Sequence, residues 1–263
     1  MAPRLVALGG HEFRSRSDEL AIVEYLLRLT GKECPRICLL PTASGDPQEG
    51  IQRFYTTLDR FACEPSHVSL FRLERERVDL REHLLAQDLV YVAGGSMLNL
   101  IAIWRAHGLF SVMREAWERG VLMAGQSAGA MCWFEHGITA SAGEPKVAAG
   151  MGLLPGSLCV HYARDPHRRT AYLKAVRDGL APGFALDDGA GVLFEGRRAV
   201  EAFSARPDAR VIRVLAGGVE VPLRPIGLRH RLGLNRDPAV DELRELRRAR
   251  EQLRGVRARA FAR

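Results

Sequence analysis

The thirteen residues from Val121 to Trp133, VLMAGQSAGAMCW, constrain this chain more than any other stretch. An apolar run closes at Gly125, a serine follows, and small helix-forming residues come after it. The pattern predicts a strand, a sharp turn and a helix, with Ser127 at the apex. A nucleophilic serine on such an elbow sits in a strained backbone conformation, so the positions two before and two after it must lack bulk. Gly125 and Gly129 occupy those positions. The competing explanation is a glycine-rich strand-to-helix connection with a serine there by chance. The flanking strand and helix are the context that separates the two.

The rest of the chain repeats the alternation. Leu5 to Leu8 predicts a buried strand stopped by Gly9 and Gly10, and a helix is expected over Asp18 to Leu29. Ile37 to Leu40 predicts a second strand, followed by a helix from Pro47 to Cys63 and a strand from His67 to Leu73. Glu74 to Gln87 reads as helical, Leu89 to Val92 as a strand, and Met97 to His107 and residues 111–119 as helices. After the elbow, Gly137 to Gly156 reads as a short strand with loops. Leu158 to Tyr162 predicts a strand that leads into a charged turn and a helix ending near Asp178. Phe184 to Leu186 and Val192 to Glu195 bracket an Asp187-Asp188-Gly189 turn, and 199–227 reads as short β segments. Strands apolar throughout, alternating with helices, predict an α/β fold whose parallel sheet is covered on both faces. In such sheets the site lies off the C-terminal strand ends. That edge collects Gly9 and Gly10, Thr42 to Ser44, Gly94 to Ser96, and Ser127.

At 263 residues the chain is long enough for a large core without staples. A single α/β domain is expected over 1–240, with an arginine-rich helical tail over 241–263. The net charge of +7 rests on arginine, since only Lys32, Lys146 and Lys174 are lysines. Five cysteines without a metal-ligand rhythm read as reduced thiols, and no metal or cofactor is expected. With no leader pattern and no long apolar run, the expected location is the cytoplasm, with no membrane partner. A homodimer is left open.

A serine hydroxyl needs a base to take its proton. His161 follows the apolar run Leu158-Cys159-Val160 at a predicted strand end, which makes it the candidate, with a structural histidine as the alternative and His167 as competitor. His11, His67, His83, His107, His136 and His230 have ordinary explanations at helix ends or in polar surroundings.

GQSAGAMCWF, with YVAGGSMLNL before it and GLLPGSLCVHY after it, resembles the dipeptidase E and cyanophycinase family of serine peptidases over roughly residues 4–200. The chain order supports the resemblance, because α/β-hydrolases place their histidine far downstream, after the acid. The resemblance implies a flavodoxin-like fold, related to class I glutamine amidotransferases, with a mostly parallel sheet and helices on both faces. It implies Ser127 as nucleophile, His161 as base, and an oxyanion hole from the N–H of Ala128 and one from the Gly94-Gly95 turn, with Gly95 as the expected donor. The family's acid falls near Ala142 here, where the sequence departs from the pattern. Glu144 is the nearest carboxylate. Glu135, Asp187 and Asp188 are alternatives, as is a Ser-His dyad oriented by a backbone carbonyl.

The activity implied is removal of an N-terminal aspartate from short peptides. Such a substrate wants an arginine fork for its acidic side chain and a carboxylate for its free amine. Arg168 and Arg169 match the family's basic segment after the histidine, and Asp188 is placed to meet the amine. Two other readings stay open. One is a cyanophycinase-like hydrolase of β-linked Asp-Arg, whose positive side chains suit the basic surroundings less well. The other is a nucleic-acid-binding protein on a retired hydrolase fold, which an intact Ser127 and His161 argue against, so no nucleic acid is expected.

Overall fold

Period-2 burial on both faces of the central strands organises the structure, a computed structural model that describes residues 2–14, 16–73 and 78–230. In β1 (Arg4–Leu8), Leu5 and Ala7 point into one core while Val6 and Leu8 point into another. The same split runs through β2 (Arg36–Leu40) and β4 (Leu89–Val92). Strands covered on both faces must be apolar at every position, which is how these segments read in the sequence. With β3 (Glu64–His67) and β5 (Leu122–Gln126), they pair in parallel in the order β1, β5, β4, β2, β3.

Helices α1 (Ser17–Thr30) and α2 (Gln48–Leu58) cover one face of this parallel core, inserting residues such as Ile22, Leu26 and Phe54. The short α3 (Leu80–Leu85), α4 (Met97–Ala106) and α5 (Leu109–Glu118) lie on the other, which buries Trp104, Met113 and Trp117. The helices expected on both faces are therefore present. The strand after β2 is displaced from its expected place: it covers Glu64–His67 rather than His67 to Leu73. Val68 and Leu70 still reach the core, but from the turn that follows. Part of the helical stretch expected over Glu74 to Gln87, and the tail over 241–263, lie outside the described residues.

Beyond the elbow the chain builds a second sheet that the sequence pattern did not announce. Its six strands run in the order β13, β12, β9, β8, β6, β7. They are β6 (Phe134–Thr139), β7 (Lys146–Ala149), β8 (Leu154–Val160), β9 (Gly183–Leu186), β12 (Val211–Val214) and β13 (Glu220–Leu223). Helix α7 (Pro166–Arg177) packs on it through Tyr172 and Val176. The strands β10 (Ala190–Glu195), β11 (Arg198–Ser204) and β14 (Ile226–Gly227) return to the first sheet, extending it beyond β1 to eight strands, with β10 and β11 paired antiparallel and β14 parallel to β11. One continuous core joins the sheets: Leu5 and Met123 of the first share it with Leu158 and Leu186 of the second. Among the described residues no helix is long and apolar enough to cross a membrane.

Trp104 is fully buried, with its indole N–H 3.4 Å from Thr42 Oγ1 and its ring 5.8 Å from that of Trp133. Trp104→Ala is expected to cost about 3–5 kcal/mol, the range for emptying a buried aromatic site. A urea titration would read this as a lowered midpoint, and an unchanged midpoint would contradict the packing described.

Candidate active site

The elbow forms as its residues require. Ser127 follows β5 directly with φ 53° and ψ −118°, a conformation rare for residues other than glycine, and its N–H donates to the Leu8 carbonyl at 3.1 Å. The two glycines have a steric cause. A β-carbon on Gly125 would stand 2.0 Å from the Gly129 carbonyl oxygen, and one on Gly129 would stand 2.2 Å from that of Val92. The turn thus closes only where two backbones touch. The helix after it, α6 (Ala128–Met131), is a single turn, so any stabilisation of an anion here comes from individual N–H groups rather than a long helix dipole.

Ser127 Oγ lies 2.8 Å from Nε2 of His161, which follows β8 with φ 56°. The His161 carbonyl accepts from Asp165 N–H at 2.9 Å, and the next residue's N–H reaches the Leu186 carbonyl at 3.2 Å, so the ring is fixed on both sides. On its other nitrogen, Nδ1 meets Oδ1 of Asp188 in a short contact. A carboxylate only accepts, which assigns the proton to Nδ1 and leaves Nε2 free to accept from the serine.

Asp188 carries two expectations, a contact for the substrate amine and an alternative for the acid. It sits in the turn between β9 and β10 and faces the imidazole, so it is not free for a substrate amine. Glu144, the expected acid, stands exposed in the turn between β6 and β7. The carboxylate that faces His161 is that of Asp188. Glu135 is likewise engaged elsewhere, accepting from Gly156 N–H at 2.8 Å. Asp187 anchors the turn: its carboxylate accepts from Ala163 N–H at 2.7 Å and from Arg210 N–H and Nε–H, both at 3.0 Å. The neighbouring Gly189 N–H donates to the Gly10 carbonyl at 3.1 Å. A β-carbon on Gly10 would fall 2.6 Å from Asp188 Oδ1, so the glycine leaves room for the carboxylate. Burial works against the charged form of Asp188, but the hydrogen bond from His161 and the charges of His161 and Arg164 outweigh it. The carboxyl is held below its ordinary value.

Above the serine lies a cavity of about 460 Å³, bordered by Gly94 and Gly95 at the end of β4. Among the described residues neither the Gly95 N–H nor the Ala128 N–H finds an acceptor. The arginines bordering this cavity are Arg14, Arg53 and Arg164, with Glu12 as the carboxylate among them. Arg168 and Arg169, expected in that role, are absent from its lining and are otherwise occupied. Arg168 folds back on Asp165, the residue capping α7, at 3.3 Å. Arg169 donates to Glu220 on β13 at 2.6 Å and lies 5.7 Å from the Tyr162 ring centre. His167, the competing base, is exposed on α7.

The loop between β1 and α1 presents Glu12 and Arg14, and a buried histidine shapes it. His11 Nδ1 lies 3.0 Å from the Tyr91 hydroxyl and Nε2 lies 3.2 Å from the Glu19 carbonyl. Glu19 Oε2 accepts from the N–H of Glu12 at 2.9 Å and of Arg14 at 3.1 Å. Burial lowers the His11 pKa, with the Glu19 charge opposing. Sequence reading missed Glu12, Arg14, Arg53 and Arg164. The signal available for the first three was their place just beyond strand ends or in the helix that follows. No group of His, Cys, Asp and Glu side chains placed to hold a metal ion occurs among the described residues.

Known proteins resemble this chain over most of its length. The model of peptidase family S51 matches residues 5–202. The chain is 40% identical over 228 residues to a Bacillus subtilis (strain 168) protein named uncharacterized peptidase YgaJ, covering 86% of this chain and 98% of that one. Among solved structures, a peptidase from an acI-B1 Actinobacterium superposes with a TM-score of 0.66 at 21% identity. That match spans 86% of this chain and 95% of the other.

The depressed pKa of Asp188 has a measurable consequence. A carboxyl held lower in the folded state than in the unfolded chain adds stability above the unfolded value of ~3.9, and this is lost as pH falls through the folded value. The wild-type protein should therefore exceed Asp188→Asn in Tm at pH 5–6, and the gap should close on acidification toward pH 2–3. A gap independent of pH would remove the charged interaction with His161.

Proposed function

The chain belongs to peptidase family S51, and from that premise we propose that it is a serine dipeptidase that removes an N-terminal aspartate from short peptides. The observation that carries the reading is the hydrogen-bonded chain from Ser127 through His161 to Asp188, at the foot of a cavity bordered by three arginines.

In this mechanism Ser127 Oγ attacks the scissile carbonyl while His161 Nε2 takes its proton. Asp188 holds the imidazole in the tautomer that can accept and stabilises the imidazolium that forms. The carbonyl oxygen becomes an oxyanion that the N–H groups of Ala128 and Gly95 can meet, donors fixed before the charge develops. Collapse breaks the C–N bond, and the proton on His161 Nε2 passes to the departing amine. Water, deprotonated by the same nitrogen, then attacks the acyl-enzyme and releases aspartate, returning the proton to Ser127.

The preference for aspartate follows from charge. Arg14 pairs with Glu12, and Arg53 pairs at 2.8 Å with Glu49, whose side chain is 86% exposed. Such exposed pairs are worth little, so either guanidinium can turn to a substrate carboxylate. Glu12 offers the carboxylate that a free α-amine needs. A cyanophycinase-like substrate would bring an arginine side chain toward the same arginines, which like-charge repulsion disfavours.

Two outcomes test the reading. Ser127→Ala should abolish hydrolysis of Asp-Leu, and Asp188→Asn should lower kcat by about 10⁴-fold through the wrong tautomer. Glu144→Gln should stay close to wild type, and a comparable loss at Glu144 would reverse the assignment of the acid. Separately, Arg53→Ala should raise KM for Asp-Leu by about 10–100-fold, the worth of one charged hydrogen bond, with little change for Ala-Leu. Equal effects on the two dipeptides would discard the arginine contact.

A further inference from the structure

The cleft continues past the serine. A second, polar cavity of about 300 Å³ lies on the far side of His161. It shares His161, Arg14 and Arg164 with the first, so the two form one groove that straddles the imidazole. We propose that Arg164 is a specificity-determining residue that captures the free α-carboxylate of the amino acid leaving from the scissile bond, restricting the enzyme to dipeptides. The inference rests on the dipeptidase reading above.

The direction of the substrate carries the argument. The leaving nitrogen must take its proton from His161 Nε2, so the chain beyond the scissile bond passes the imidazole, on the side away from the oxyanion donors. In a dipeptide the carboxylate oxygens lie only about 3.5 Å from that nitrogen, as two backbone bonds and a C–O bond dictate. A group meant to meet them must therefore stand beside His161. Arg164 does so. It follows His161 by three residues, inside the turn closed by the bond from Asp165 N–H to the His161 carbonyl.

Its electrostatic setting also differs from that of the other arginines in the groove. Arg14, Arg16 and Arg206 each pair with a carboxylate two residues away in the chain. The acidic partner of Arg164 is Asp188, at 3.6 Å, and that carboxylate is already engaged by His161. The side chain of Arg164 is 76% exposed. A guanidinium has five donors in a planar fork, matched to a carboxylate, and Arg164 keeps most of them free. One further residue on the peptide would carry the terminal charge about 3.5 Å onward, out of this reach.

The test compares kcat/KM for Asp-Leu and its C-terminal amide, with wild type, Arg164→Gln and Arg164→Lys. Wild type should favour the free acid by about 10–100-fold, as for one charge-assisted contact. Arg164→Gln should bring the acid down to the level of the amide while leaving the amide within about threefold, and Arg164→Lys should restore part of the preference. Equal cleavage of acid and amide by wild type would overturn the role of Arg164 while leaving the dipeptidase reading intact. So would a parallel fall of both substrates in Arg164→Gln, which would mean that the residue acts only through Asp188. Failure of wild type to cleave either peptide would sink the dipeptidase reading and the role of Arg164 with it.

Discussion

One hydrogen bond of 2.8 Å crosses the seam between two sheets, and the site depends on it. Ser127 ends a strand of the eight-stranded sheet, and His161 ends a strand of the six-stranded one. Asp188 lies on the turn where the chain leaves β9 in the second sheet and enters β10 in the first. Neither sheet alone carries the constellation. A site of this kind tolerates only about 0.5 Å of play, so the sheets must be held to that accuracy by the core between them. Leu5, Met123, Leu158 and Leu186 share that core, close-packed and without free exposure.

The turn at Asp187 and Asp188 shows how two like residues divide this work. Asp187 turns inward and spends its oxygens on Ala163 and Arg210, tying the loop after His161 to the start of β12. Asp188, next in the chain, faces the other way and meets the imidazole. The first fixes the backbone and the second orients the ring.

What the sequence made legible was whatever local sterics dictate. The elbow needs its glycines at fixed offsets, the buried parallel strands need apolar residues at every position, and His161 ends such a strand, so all were visible as pattern. What local pattern left open, which of Glu144, Glu135, Asp187 and Asp188 faces His161, depends on long-range pairing. Asp188 sits 27 residues from His161 and reaches it only because β8 and β9 are paired neighbours. Glu144 is the carboxylate nearest Ala142, where the family resemblance puts the acid, but it occupies an exposed turn at the edge of the second sheet. Arg168 and Arg169 failed for the same reason: a helix beginning at Pro166 carries them toward Asp165 and β13, while Arg164, in the turn before it, stays beside the histidine.

The brevity of the elbow helix bears on how charge would be stabilised here. With four residues, α6 cannot build a macrodipole of consequence, so in the proposed mechanism the oxyanion has two separate amides to meet it, those of Ala128 and Gly95. They follow different strands, β5 and β4, which are paired along their length up to Val92 and Gly125. The pairing of two parallel strands thus sets the distance between the two donors, and the contact of Gly129 with the Val92 carbonyl presses the elbow against the end of β4. The same close approach that accompanies the strained conformation of Ser127 therefore also holds the elbow against the strand that leads to Gly95. A side chain at Gly129 would push the elbow off the end of β4, which makes the conformation of the serine and the seating of the elbow on that strand one constraint rather than two.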